Sequence, residues 1–112
     1  MKYRIVLVPF PFDDLSSSKV RPALSLSDEI GPHQHLVLAF ITSRVPHELL
    51  DTDLVVNTND PGFAITGLKI TSTIRLHRVM TISSRAIQFE LGELDKSQQS
   101  LVENKLRKLF DL

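Results

Sequence analysis

The chain has 112 residues, 42% hydrophobic and 23% charged, the composition of one ordinary globular domain with a single core. Thirteen Lys and Arg balance thirteen Asp and Glu, which excludes a polybasic coat that grips nucleic acid indiscriminately and confines any RNA or DNA site to a local patch. The absence of cysteine excludes disulfides, thiol nucleophiles, thiolate zinc sites and iron–sulfur clusters.

Residues 3–8 carry Ile5, Val6, Leu7 and Val8, a run rich in β-branched side chains that Pro9 and Pro11 halt because their rings donate no ladder hydrogen bond. That pattern predicts a buried first strand, too short for a signal-peptide core or a membrane span, and the expectation is a soluble, cytoplasmic protein. The small polar stretch 13–19 predicts a loop, since Asp and Ser side chains bond to nearby backbone. After Arg21 and Pro22, residues 23–27 alternate apolar and polar, the period of a half-buried strand, and 28–31 turn the chain. Residues 36–41 are apolar throughout and short, which predicts a doubly buried strand at the centre of a sheet.

Pro46, suited to a first helical position, predicts one helical turn over 46–50, and 53–56 another short strand. Asn59-Asp60-Pro61-Gly62 is turn chemistry within 57–67. Alternation resumes through Ile70, Ser72, Ile74 and Leu76 to Val79, with 80–83 a further strand-like piece. Leu94, Leu101, Val102, Leu106, Leu109 and Phe110 recur at helical spacing, and Asp95 with Gln98 reads as an N-cap and reciprocal capping pair. The expectation is a single domain over 1–112, mainly β with a terminal helix, a small barrel or sandwich.

Three clusters carry candidate chemistry. In Lys19-Val20-Arg21-Pro22, the proline biases Arg21 towards extended geometry, and a guanidinium with a fixed root offers two parallel donors to a phosphate; a solvated arginine at a strand end fits equally well. Thr42, Ser43 and Arg44 leave the central strand together, where hydroxyls can donate to phosphoryl oxygens or simply cap a turn. In an extended segment Arg75 and His77 share one face, either a cationic site with a proton carrier or the polar side of an amphipathic strand. His33 and His35 lack an evident third ligand, and Asp13 and Asp14 suit a turn better than a magnesium ion, so no metal is expected. Phe10 and Phe12 flank Pro11, where they would stack on bases or pack under a loop.

Val8-Pro9-Phe10-Pro11-Phe12-Asp13-Asp14, the loop to Lys19-Val20-Arg21-Pro22-Ala23-Leu24, the strand ending Ile41-Thr42-Ser43, and Gly67-Leu68-Lys69 through Ser72-Thr73-Ile74-Arg75-Leu76 together resemble the MazF/PemK/Kid toxin family, in order and spacing, over residues 3–90. The resemblance implies an SH3-like barrel with helical additions, a homodimer, a small antitoxin partner, and metal-independent cleavage of single-stranded RNA without cofactors. In that chemistry the 2′-hydroxyl attacks, leaving a 2′,3′-cyclic phosphate and a 5′-hydroxyl. Arg21 matches the family's arginine after the first long loop and Thr42 its threonine at the central strand's end. Arg75 matches an arginine that some members carry, while His77 replaces an aspartate. The place of a loop glutamate falls at Ser16 or Ser17. The implied catalytic set is Arg21, Thr42, Arg75 and His77, with Lys19, Ser16, Ser17, Ser43 and Arg44 as substrate contacts. Alternatives are a non-catalytic SH3-like module binding RNA or protein, a decayed toxin that only docks an antitoxin, and a gyrase inhibitor on the same fold.

Overall fold

The structure, a computed structural model, describes residues 1–9 and 19–112. Six strands, β1 (Arg4–Pro9), β2 (Val20–Ser25), β3 (His35–Thr42), β4 (Asp53–Val56), β5 (Ser72–Ser83) and β6 (Phe89–Glu93), form one curled antiparallel sheet in the order β4-β5-β3-β2-β1-β6. Among the described residues two α-helices, α1 (Phe63–Thr66) and the C-terminal α2 (Lys96–Phe110), and a 3-10 turn at Ser84–Ala86 complete the SH3-like barrel.

Strand alternation sorts the apolar side chains onto two faces. Ile5, Leu24, Ala39, Ile41, Leu54, Ile74 and Leu76 fill one cluster with Leu94 and Val102, so α2 closes that side. Val6, Val8, Ala23, Leu36, Leu38 and Phe40 form the second, edged by Met1, Met80, Ile82 and Ile87. Strand β3 feeds both clusters, which is why its sequence is apolar without interruption.

Helix α2 begins as its sequence predicts, with the Asp95 carboxylate accepting from the Gln98 N–H at 2.8 Å. The reciprocal half of the cap is not formed: the Gln98 side-chain oxygen is buried without a hydrogen bond. Other expectations are corrected. Residues 46–50 form no helical turn, because the Leu50 N–H is drawn to the Asp53 carboxylate at 2.9 Å and the Leu50 carbonyl accepts from the Asp53 N–H, a turn that launches β4. The turn-rich stretch 57–67 contains α1, ended by Gly67 at φ 72°, where a Cβ would stand 2.2 Å from the Leu91 carbonyl oxygen. Strand β5 starts at Ser72 and runs unbroken through the two predicted pieces. β6 was not expected; it joins the edge of β1, where Arg4 reaches Glu90 at 3.6 Å and Glu93 at 3.5 Å.

Two irregularities position the site. Leu26 donates its N–H to the Val37 carbonyl, so alternation along β2 turns the backbone groups of Leu24 and Pro22 towards β3 as well. Pro22 has no N–H to offer, and the β2–β3 ladder stops at Ala23 paired with Phe40. The second irregularity lies in β5: Ala39 pairs with Val79 but its neighbour Phe40 pairs with Arg75, so residues 76–78 are extruded from the β3 ladder. The Leu76 N–H bonds the Thr52 carbonyl instead, at 2.9 Å.

Candidate functional site

Continuing the β2–β3 register two places beyond its last pair sets Arg21 across from Thr42, and directly opposed residues of an antiparallel pair face the same side. Where the strands part, a cavity of about 620 Å³ opens, lined by Lys19, Arg21, Pro22, Phe40, Ile41, Thr42, Ser43, Arg44 and Arg78. Four of these side chains are cations and none is a carboxylate, so among the described residues the wall suits a polyanion. A neutral chain thus concentrates charge locally, as its composition requires of any nucleic-acid site.

Thr42 is held for donation. Its hydroxyl oxygen accepts from the Arg44 N–H at 3.1 Å, which fixes the rotor and leaves the hydroxyl proton to give. Arg78 lies with its guanidinium carbon 4.6 Å from the Phe40 ring centroid, a cation–π contact that roots a long side chain at the cavity wall.

The expected cationic face of Arg75 and His77 is not built as a uniform strand would build it. Arg75 donates from Nε to a carboxylate oxygen of Asp53 at 3.0 Å, and the Asp53 side chain is fully buried. Its charge is therefore compensated, and it does not line the cavity. His77, in the extruded segment, stands 2.7 Å through Nδ1 from the Thr52 hydroxyl and is exposed. Lys19, Arg21, Thr42, Ser43 and Arg44 come together; Arg75 and His77 lie outside the lining. Ser16 and Ser17, with Phe10, Phe12, Asp13 and Asp14, fall outside the described residues. Arg78 was missed by sequence reasoning. Its one signal is the adjacent pair His77-Arg78, which breaks the apolar–polar alternation as a bulge does.

His33 and His35 stack at 5.8 Å between ring centroids beside Arg85 in a separate cavity of about 250 Å³. No group of three or more His, Cys, Asp or Glu suited to a metal ion occurs among the described residues. Nor is any described helix long and apolar enough to cross a membrane.

Fold and cavity together define a small β-barrel protein with a cation-lined cavity at one end of its central strand. The family model of PemK-like, MazF-like toxins of type II toxin–antitoxin systems matches residues 1–110, and the chain belongs to that family, whose toxins are known as endoribonucleases. Among solved structures, it is similar to the Mycobacterium tuberculosis toxin MazF-mt6, at 26% identity and TM-score 0.73 over 97% of each chain. A mycobacterial endoribonuclease solved with its cognate antitoxin shares the fold at 13% identity and TM-score 0.71, covering 100% of this chain and 95% of that one. MazF from Deinococcus radiodurans does so at 16% identity and TM-score 0.68, over 99% and 96%. No curated protein sequence matches.

Proposed function

We propose that the protein is the toxin of a toxin–antitoxin pair and cleaves single-stranded RNA without metal or other cofactor, the 2′-hydroxyl attacking phosphorus and the 5′-oxygen leaving. The observation that carries this reading is that Arg21 and Thr42 line one cation-rich cavity. Charge accumulates on the phosphorane oxygens, and preorganised donors aimed there lower the barrier. Arg21 supplies that charge, Thr42 donates its hydroxyl proton to a non-bridging oxygen, and Lys19, Ser43 and Arg44 hold flanking phosphates, with Ser16 and Ser17 as further contacts.

Proton transfer falls to His77. It neighbours Arg78 in sequence, and its Nδ1 contact with Thr52 fixes the ring and leaves Nε2 as the working position. Arg75 acts as a positioning residue: it pairs across the ladder with Phe40 and is clamped by Asp53. The partners in this reading are RNA, a small antitoxin that docks on the toxin, and a second copy of the chain. The exposed Leu101 and Phe110 of α2 supply apolar surface for such contacts, and light scattering checks the dimer.

The test is incubation of purified protein with single-stranded RNA in excess EDTA, followed by mapping of the ends. Cyclic-phosphate and 5′-hydroxyl termini are expected, lost in Arg21→Ala at unchanged circular dichroism, and His77→Gln should slow cleavage. Because no described lining residue is a carboxylate or imidazole, a non-catalytic RNA-binding module is the second reading. Salt-dependent binding of intact RNA without cleavage would select it.

A further inference from the structure

The extruded step of β5 puts an unusual side chain at the cavity. We propose that Arg78, seated on Phe40, is a stacking platform for one nucleobase of the bound strand, gripping the base beside the phosphate that Arg21 and Thr42 hold. This deepens the ribonuclease reading and rests on it.

Three observations converge on this role. Residues 76–78 have no partner across β3, so the backbone at 78 is placed by the Leu76–Thr52 hydrogen bond and the His77–Thr52 contact. Phe40 is only 8% exposed, and the Arg78 guanidinium lies 4.6 Å from its ring centroid, with both residues on the cavity wall. Arg44, an exposed residue of the turn after β3, is seated on no ring among the described residues.

A guanidinium is planar and weakly hydrated, so its flat side accepts an aromatic ring while its edge donors remain for a phosphate. An ammonium at the same place supplies charge but no plane. The platform is indifferent to the base's hydrogen-bonding edge and gains with ring area, so it favours a purine over a pyrimidine.

The experiment uses the full chain and single-stranded 2′-O-methyl oligonucleotides, which lack the attacking hydroxyl, carrying 2-aminopurine at successive positions, with abasic counterparts. One position should quench on binding, and its abasic counterpart should bind roughly tenfold more weakly. Arg78→Lys should lose that tenfold preference while its affinity for the abasic strand and its salt slope stay unchanged, because the charge is kept. Melting temperature should not move, since position 78 lies outside the β3 ladder. Equal affinity of the native protein for base-bearing and abasic strands, or a preference that survives in Arg78→Lys, overturns the platform. If the native protein cleaves RNA while either result is obtained, the platform alone falls. If it neither cleaves nor binds RNA, the ribonuclease reading falls and the platform with it.

Discussion

The two ends of β3 are both polar and both border a cavity, yet they are built on opposite rules. At the Thr42 end the neighbouring strand lacks a donor and the ladder opens, leaving Arg21, Arg44 and Arg78 around a space. At the His35 end the backbone is closed on itself: Ile30 and His35 exchange both hydrogen bonds, the Ser84 N–H reaches the Gln34 carbonyl, and the Ser83 hydroxyl reaches the His33 carbonyl at 3.4 Å. One imidazole stacks on the other there. One end gathers cations around an open space, and the other spends its backbone hydrogen bonds on closing itself.

The contrast breaks if the closed end proves functional, so the largest predicted effect compares the two directly. Arg21→Ala should reduce RNA cleavage by about a hundredfold to a thousandfold, the scale of a lost transition-state donor. The double variant His33→Ala and His35→Ala should change the rate less than about twofold, and a comparable loss there would refute the division. Next in size is Asp53→Ala. Removing the buried partner of Arg75 strands a charge and should cost about 3 kcal/mol in denaturant unfolding. A variant as stable as the native chain would mean the pair carries no structural role.

Pro22→Ala sharpens the account of the open end, because it restores an N–H facing Ile41 and lets the ladder run on. Cleavage should fall by about tenfold, while stability stays within roughly 1 kcal/mol of the native chain. The smallest effect belongs to the closed end, where Tyr3 donates its N–H to the Ser25 carbonyl. Burial, with the hydrogen bond to the Glu103 carboxylate, pushes the Tyr3 phenol up from 10.0 to about 12. Tyr3 is the single tyrosine and there is no tryptophan, so an ultraviolet titration reads it alone, with a midpoint expected near 12. A raised folded pKa stabilises the fold fully below pH 10 and loses that contribution as pH rises from 10 through 12. Tyr3→Phe should remove this alkaline slope.

What the sequence made legible follows from how local each signal is. β3 and α2 were readable because an unbroken apolar run and a helical repeat with an Asp95 cap each state their element within a short window. Arg21 was readable as a strand-entrance residue before a proline and Thr42 as a hydroxyl at a strand's end, and both line one cavity. β6 was not, since Phe89-Glu90-Leu91-Gly92-Glu93 carries a glycine and acquires strand form only by pairing with β1. The Arg75–Asp53 pair joins residues 22 apart in sequence, and the register jump opposite Phe40 depends on both neighbours of β5 at once. Propensity within a window carries neither.

The extruded segment also bears on how such a protein diverges. Its three residues take no part in the β3 ladder, and the last two are exposed, so replacing the side chain at 77 or 78 leaves every strand pairing intact. Replacement there costs the fold little, and costs it more just before the segment, where Ile74 is buried and Arg75 is clamped by the buried Asp53. A lineage on this scaffold can therefore exchange what lies at the cavity mouth many times over while the barrel beneath stays the same.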